Sequence, residues 1–113
     1  MNPTPTSHRF RVYDLSLEAL RRLRAPIAAI RTVDADLADQ LQRAATSVAL
    51  NLAEGAKRRG RDQAHFYRIA AGSAAEARAC LDVAAALGHC REDLAGPWTA
   101  LDSVVAMIWR LTH

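Results

Sequence analysis

The sequence predicts an all-α protein, an antiparallel up-down-up-down four-helix bundle, on three observations. Alanine is the commonest residue, at 24 of 113, against five glycines and four prolines. Alanine is the best helix former and the other two are the breakers, so the chain is biased towards helix throughout. Apolar residues recur at steps of three and four in four separate segments, and nowhere alternate as a strand would. The breaks between those segments are short, which makes consecutive helices antiparallel neighbours. Half the residues are hydrophobic and 24% are charged, a globular composition in a chain one domain long.

The expected layout is a flexible leader over 1–13 and a bundle over 14–113, with helices at about 14–30, 35–57, 62–87 and 97–111. Asp14 is placed to cap the first helix, whose face reads Leu17, Leu20, Leu23, Ile27 and Ile30. Its spacing continues through Pro26, which reads as a kink and not a stop. Asp34 caps the second, with Leu37, Leu41, Ala44, Val48 and Leu52 on one stripe and acids in the first turn to suit the helix dipole. After Arg58-Arg59-Gly60-Arg61, Asp62 caps a third helix facing inward with Phe66, Ile69, Ala70, Ser73, Ala77, Cys80, Leu81, Ala84 and Leu87. Gly88 is its terminating glycine. Pro97 suits a first helical position of the fourth, whose face is Trp98, Leu101, Val105, Ile108 and Leu111.

The remaining faces are less ordinary. Leu50 lies opposite Leu41 on the second helix, and Ala71, Gly72, Ala75 and Ala79 lie away from the core face of the third. A small, apolar back face admits another backbone, so these residues are a candidate oligomer interface, closed and symmetric by default. The plainer reading is that alanine is simply a good helix former. Arg43, Ser47, Asn51 and Glu54 form a polar stripe on the second helix. An antiparallel hairpin sets that stripe level with Ser73 and Glu76. These six read as a hydrogen-bonded seam that fixes register, with a ligand site as the other reading.

Charge is sorted by position more than by total. The net charge is +3, from fourteen arginines, one lysine and twelve acids. One end of the bundle collects Arg9, Arg11, Lys57, Arg58, Arg59, Arg61 and Arg110 against Asp14, Glu54 and Asp62, a surplus of four positive charges. The other holds Arg31 and Arg91 against Asp34, Asp36, Asp39, Asp82, Glu92 and Asp93, a surplus of four negative ones. An arginine-rich end suits phosphate backbones, and a ring of like-oriented subunits multiplies it. A solvated charged turn is the bland alternative.

Other chemistries are poorly represented. Asn51-Leu52-Ala53-Glu54-Gly55 is no phosphate loop, and no Ser-centred nucleophile elbow or paired metal motif occurs. Cys80, His89 and Cys90 do not make a persuasive ligand set. His65, beside Phe66 and Tyr67, reads as a surface or seam histidine before a general base. The chain is therefore expected to be no enzyme and to need no cofactor or metal. No apolar run approaches the ~20 residues of a membrane span, and Met1-Asn2-Pro3-Thr4-Pro5-Thr6-Ser7 lacks the apolar core of a signal peptide. A cytoplasmic location with reduced cysteines is expected. A protein-binding scaffold that ignores nucleic acid is the alternative function.

The stretch Gln40-Leu41-Gln42-Arg43-Ala44-Ala45-Thr46-Ser47-Val48-Ala49-Leu50-Asn51-Leu52-Ala53-Glu54-Gly55, followed by Phe66, Ile69-Ala70-Ala71-Gly72-Ser73 and Glu76, carries a resemblance. It resembles the four-helix-bundle family first noticed as reading frames in intervening sequences of bacterial 23S ribosomal RNA genes. That family includes the accessory variability proteins of diversity-generating retroelements. The match is strongest over 40–88. The resemblance implies a homopentameric ring and, as in the retroelement members, a basic surface for RNA or DNA and a reverse transcriptase as partner. By the same resemblance, Arg43, Ser47, Asn51, Glu54, Gly72, Ser73 and Glu76 hold the family's characteristic polar and small positions, which read as architectural. The first and fourth helices match only by pattern, and Arg31-Thr32-Val33-Asp34 replaces the usual residues between helices one and two.

Overall fold

Four α-helices run through a computed structural model that describes residues 8–113, with side chains from residue 11 onward: α1 His8–Arg31, α2 Ala35–Ala56, α3 Gly60–Leu87 and α4 Ala95–Thr112. No strand occurs among the described residues. Each helix packs on its neighbours in sequence, and α1 closes the square against α4. Cross-helix bonds fix the directions. Gln63 bonds Gly55 while Ser73 bonds Ser47, and Asp82 bonds Trp98 while Arg78 bonds Asp102. One number rises as the other falls, so these neighbours are antiparallel. The result is the up-down-up-down bundle, with Cα extents of 42 × 30 × 18 Å.

Each boundary has a local cause. Asp34 caps α2, its carboxylate accepting from the Leu37 N–H at 3.1 Å, which is worth about 1 kcal/mol. Gly88 ends α3 in the left-handed region at φ 69°, and the N–H groups of Gly88 and His89 satisfy the carbonyls of Ala85 and Ala84. Between α2 and α3, the Gln63 side chain donates to the carbonyls of Gly55 and Arg58, closing the turn from the far side. At α4, the Asp93 carboxylate accepts from the Ala95 N–H at 2.9 Å.

The core is one continuous seam of 4-3 spacing on every helix, the geometry of slightly inclined antiparallel packing. In α1 the buried residues are Val12, Ser16, Ala19, Leu23, Pro26 and Ile30; in α2 they include Leu37, Leu41, Ala44, Val48, Leu52 and Gly55. In α3 they are Tyr67, Ala70, Ala74, Ala77, Cys80, Leu81 and Ala84, and in α4 Pro97, Ala100, Leu101, Val104 and Ile108. The alanines of α3 let it lie close to its partners while the leucines of α2 fill the space. Gly55 marks the tightest fit described: a Cβ there would lie 2.6 Å from the Tyr67 ring.

Several expected details are corrected. α1 starts at His8, and Asp14 lies inside it, because Val12 already belongs to the core seam. The expected leader therefore divides: 8–13 is helix, and 1–7 falls outside the described residues. Leu17, Leu20 and Ile27 are half-buried at the flank of a seam centred on Leu23 and Ile30. α3 starts at Gly60, so Asp62 stands in its first turn and caps nothing. Its inward face is rotated towards Tyr67, leaving Phe66 and Ser73 half-buried and Ile69 and Leu87 exposed. α4 starts at Ala95, which makes Pro97 the third helical residue, still among the positions whose N–H has no helical partner.

Candidate nucleic-acid interface

The basic end is built by the start of α1, the α2–α3 turn and the end of α4. Arg11 and Arg110 line one cavity of about 350 Å³ with Met107 and Leu111, which brings the first and last helices together at this end. Lys57, Arg58, Arg59 and Arg61 are all exposed on the turn. Arg58 is held: it bonds Glu54 at 3.0 Å and lies over the Phe66 ring at 5.2 Å. Arg11, Lys57, Arg59, Arg61 and Arg110 make no ion pair among the described residues, although Arg110 bonds the Ala106 carbonyl. The Arg9 side chain lies outside the described residues.

The acidic end is knitted together instead. Arg31 bonds Asp39 at 2.6 Å and Gln42 at 3.0 Å, and its guanidinium holds the Asp39 carboxyl below the usual carboxylate range. His89 Nε2 lies 3.2 Å from Asp34 Oδ2, tying the loop after α3 to the cap of α2. Asp82 accepts from the Trp98 indole at 3.0 Å. Arg31 is thus neutralised at this end, while Arg91 is exposed without an ion pair among the described residues; at the other end the unpaired cations are five.

Along the α2–α3 flank, three of the six expected seam residues meet. The Ser47 and Ser73 hydroxyls share a hydrogen bond of 2.8 Å, and Asn51 Nδ2 donates to the Ser47 carbonyl and hydroxyl at 2.9 and 3.0 Å. Glu54 turns to Arg58, and no ion pair joins Arg43 to Glu76 among the described residues, both of which are exposed. An open groove of about 480 Å³ follows the outside of α2 past Arg43, Ser47, Leu50 and Asn51.

The expected oligomer residues separate. Leu50 is 64% exposed, and Gly72 and Ala79 are exposed on α3, with open space where a Gly72 side chain would be. Ala71 and Ala75 are half-buried, Ala71 packing on the core. Ile69, Val83 and Leu87 join the outward face of α3, two of them misplaced inward by sequence reasoning. Trp109, 59% exposed at the end of α4, was not singled out from sequence either. Its position next to Arg110, off the apolar stripe at Ile108, was the available signal.

Among the described residues no three His, Cys, Asp or Glu side chains converge to hold a metal ion. Cys80 is buried, and burial pushes its thiol above the ordinary value, with Glu76 adding to the shift. His65 is exposed and meets Phe66 edge-on. No helix is long and apolar enough to cross a membrane among the described residues.

Comparison with known proteins agrees with this architecture. No curated protein matches the chain. A crystal structure of a protein of unknown function from Bacteroides thetaiotaomicron, described as of the S23 ribosomal protein family, superposes with a TM-score of 0.80 at 20% identity. The match covers 89% of this chain and 97% of that one, and establishes the shared fold. The profile of the 23S rRNA-intervening sequence proteins matches residues 10–109, nearly the whole bundle, and the chain belongs to that family.

Proposed function

We propose that this protein is a non-enzymatic, oligomeric nucleic-acid-binding protein of the cytoplasm that contacts the phosphate backbone of RNA or DNA through its basic end. One observation carries the reading: five exposed cations at that end, Arg11, Lys57, Arg59, Arg61 and Arg110, are without an ion pair among the described residues. Unpaired guanidinium groups retain their donors for phosphate oxygens, and binding releases counterions from the nucleic acid. Membership of a family named for an intervening sequence of 23S rRNA favours RNA. Self-association is supported by the exposed apolar surface of Leu50, Ile69, Val83 and Leu87 on α2 and α3. Copies standing the same way up gather their basic ends into one surface; five copies, and a reverse transcriptase as further partner, rest on the family resemblance.

The test is filter binding of a generic RNA at rising salt. Replacing Lys57, Arg59 and Arg61 with Ala is expected to flatten the slope of log affinity against log salt by about 2 per subunit engaged. An unchanged slope, or no binding at low salt, contradicts the proposal.

A further inference from the structure

The two tryptophans of α4 stand on one edge of the helix and differ in their surroundings. Trp98 is half-buried, its indole N–H donates to Asp82, and the Arg78 guanidinium lies over its ring at 5.5 Å. Every polar and π feature of that ring is used within the bundle. Asp102, four residues on, bonds Arg78 of α3. A further step of seven residues brings the same α3-facing edge to Trp109, at the basic end.

Trp109 has no such use. It is 59% exposed, and its indole N–H makes no hydrogen bond among the described residues. The pairs Arg78–Asp102 and Asp82–Trp98 set the register of α3 against α4, which places Arg68 about one turn beyond the level of Trp109 towards the basic end. Arg68 is exposed and has no ion pair among the described residues. Arg110 follows Trp109 directly and lines the cavity shared with Arg11. The indole is thus an exposed aromatic plane with cations on either side.

One planar heterocycle already lies on that plane. The His113 imidazole stacks on Trp109 with centroids 4.3 Å apart and planes 9° from parallel, held there by Nδ1 contacts to the Trp109 carbonyl and the Thr112 hydroxyl. The spacing and tilt are those a nucleobase adopts on an aromatic side chain. Bases inside a duplex have both faces covered by their neighbours, so away from helix ends such a plane is used by an unpaired base.

We infer that Trp109 is a stacking platform for an unpaired base, taken up in place of the His113 imidazole, while Arg68 and Arg110 hold the flanking phosphates. The basic end therefore prefers single-stranded to duplex nucleic acid. This inference rests on the nucleic-acid reading above and adds the strandedness of the ligand.

The test compares three ligands of equal length: oligoadenylate, an RNA duplex, and an abasic ribose-phosphate chain. Trp109→Ala is expected to weaken oligoadenylate binding roughly tenfold and to leave the duplex and abasic chain unchanged. Trp109→Phe, which keeps a π face, is expected to retain most of the affinity. Oligoadenylate should quench wild-type tryptophan fluorescence but not that of Trp109→Phe, where Trp98 alone emits. Equal losses for all three ligands, or none, overturn the stacking role while leaving the phosphate contacts standing. A smaller solution mass for Trp109→Ala overturns it in favour of a contact between copies. Failure of the wild type to bind any of the three at low salt defeats the nucleic-acid reading itself, and this inference with it.

Discussion

Gly55 is where α2 and α3 leave no room for a side chain, since a Cβ would meet Cε1 and Cδ1 of Tyr67 at 2.6 and 2.7 Å. Gly55→Ala is expected to lose about 1–3 kcal/mol of stability through displacement of that ring, even though alanine is the better helix former. Urea unfolding measures it. Asp34 has two duties, capping α2 and meeting His89 across the acidic end. Asp34→Ala should cost about 1 kcal/mol for the cap. Two other carboxylates give the protein an acid-side dependence. Hydrogen bonds from Arg21 and Arg22 lower the Glu18 pKa, and the bond from Arg31 lowers that of Asp39. A carboxyl with a lower pKa folded than unfolded contributes stability above its unfolded value, and that contribution disappears as pH falls through the folded one. Thermal melts should therefore shift downward below about pH 4, and Asp39→Asn should reduce the size of that shift. Both groups are at the surface, so the effect is small.

At the scale of the element, legibility followed side-chain size. α2 was read correctly because Leu37, Leu41, Val48 and Leu52 are large enough to declare one stripe, and all are buried. α3 was read with the right face at Ala70, Ala77, Cys80, Leu81 and Ala84, but rotated away from Tyr67 and Ala74 by part of a residue step. Its core positions are largely alanine, which looks the same inside and outside, so Phe66, Ile69 and Leu87 drew the expected face towards themselves. The start of α1 was missed because Asp14 imitates a cap, while Val12 and the small buried Ser16 and Ala19 gave the seam little apolar weight. The same ambiguity affects the flank of the bundle. Ser47, Asn51 and Ser73 could be brought together by antiparallel register alone, but Glu54 has a nearer cation one turn away in Arg58. Two residues that pattern misplaced, Ile69 and Leu87, join Val83 in a surface of interest facing outward on α3. Val83→Asp combined with Leu50→Asp is expected to reduce the solution mass towards one chain with helicity unchanged, as read by light scattering and circular dichroism. An unaltered mass would remove this face from the assembly.

The whole molecule is a short rod whose two ends treat their charges differently. The acidic end ties Arg31 to Asp39 and Gln42 and gains cohesion there, with Arg91 left exposed among an excess of acids. The basic end leaves Arg11, Lys57, Arg59 and Arg61 exposed and pairs only Arg58. Repulsion among unpaired cations costs stability, which an anionic ligand would relieve. Stability should therefore rise with added RNA and also, more weakly, with salt that screens the same charges. The direct measurement of where nucleic acid lies is a hydrogen-exchange footprint of the full chain with and without a short single-stranded RNA. The account predicts protection at 57–61 and at the last turn of α4, with the loop at 32–34 and the start of α2 unchanged. Protection confined to that acidic end, or none at saturating RNA, would contradict it.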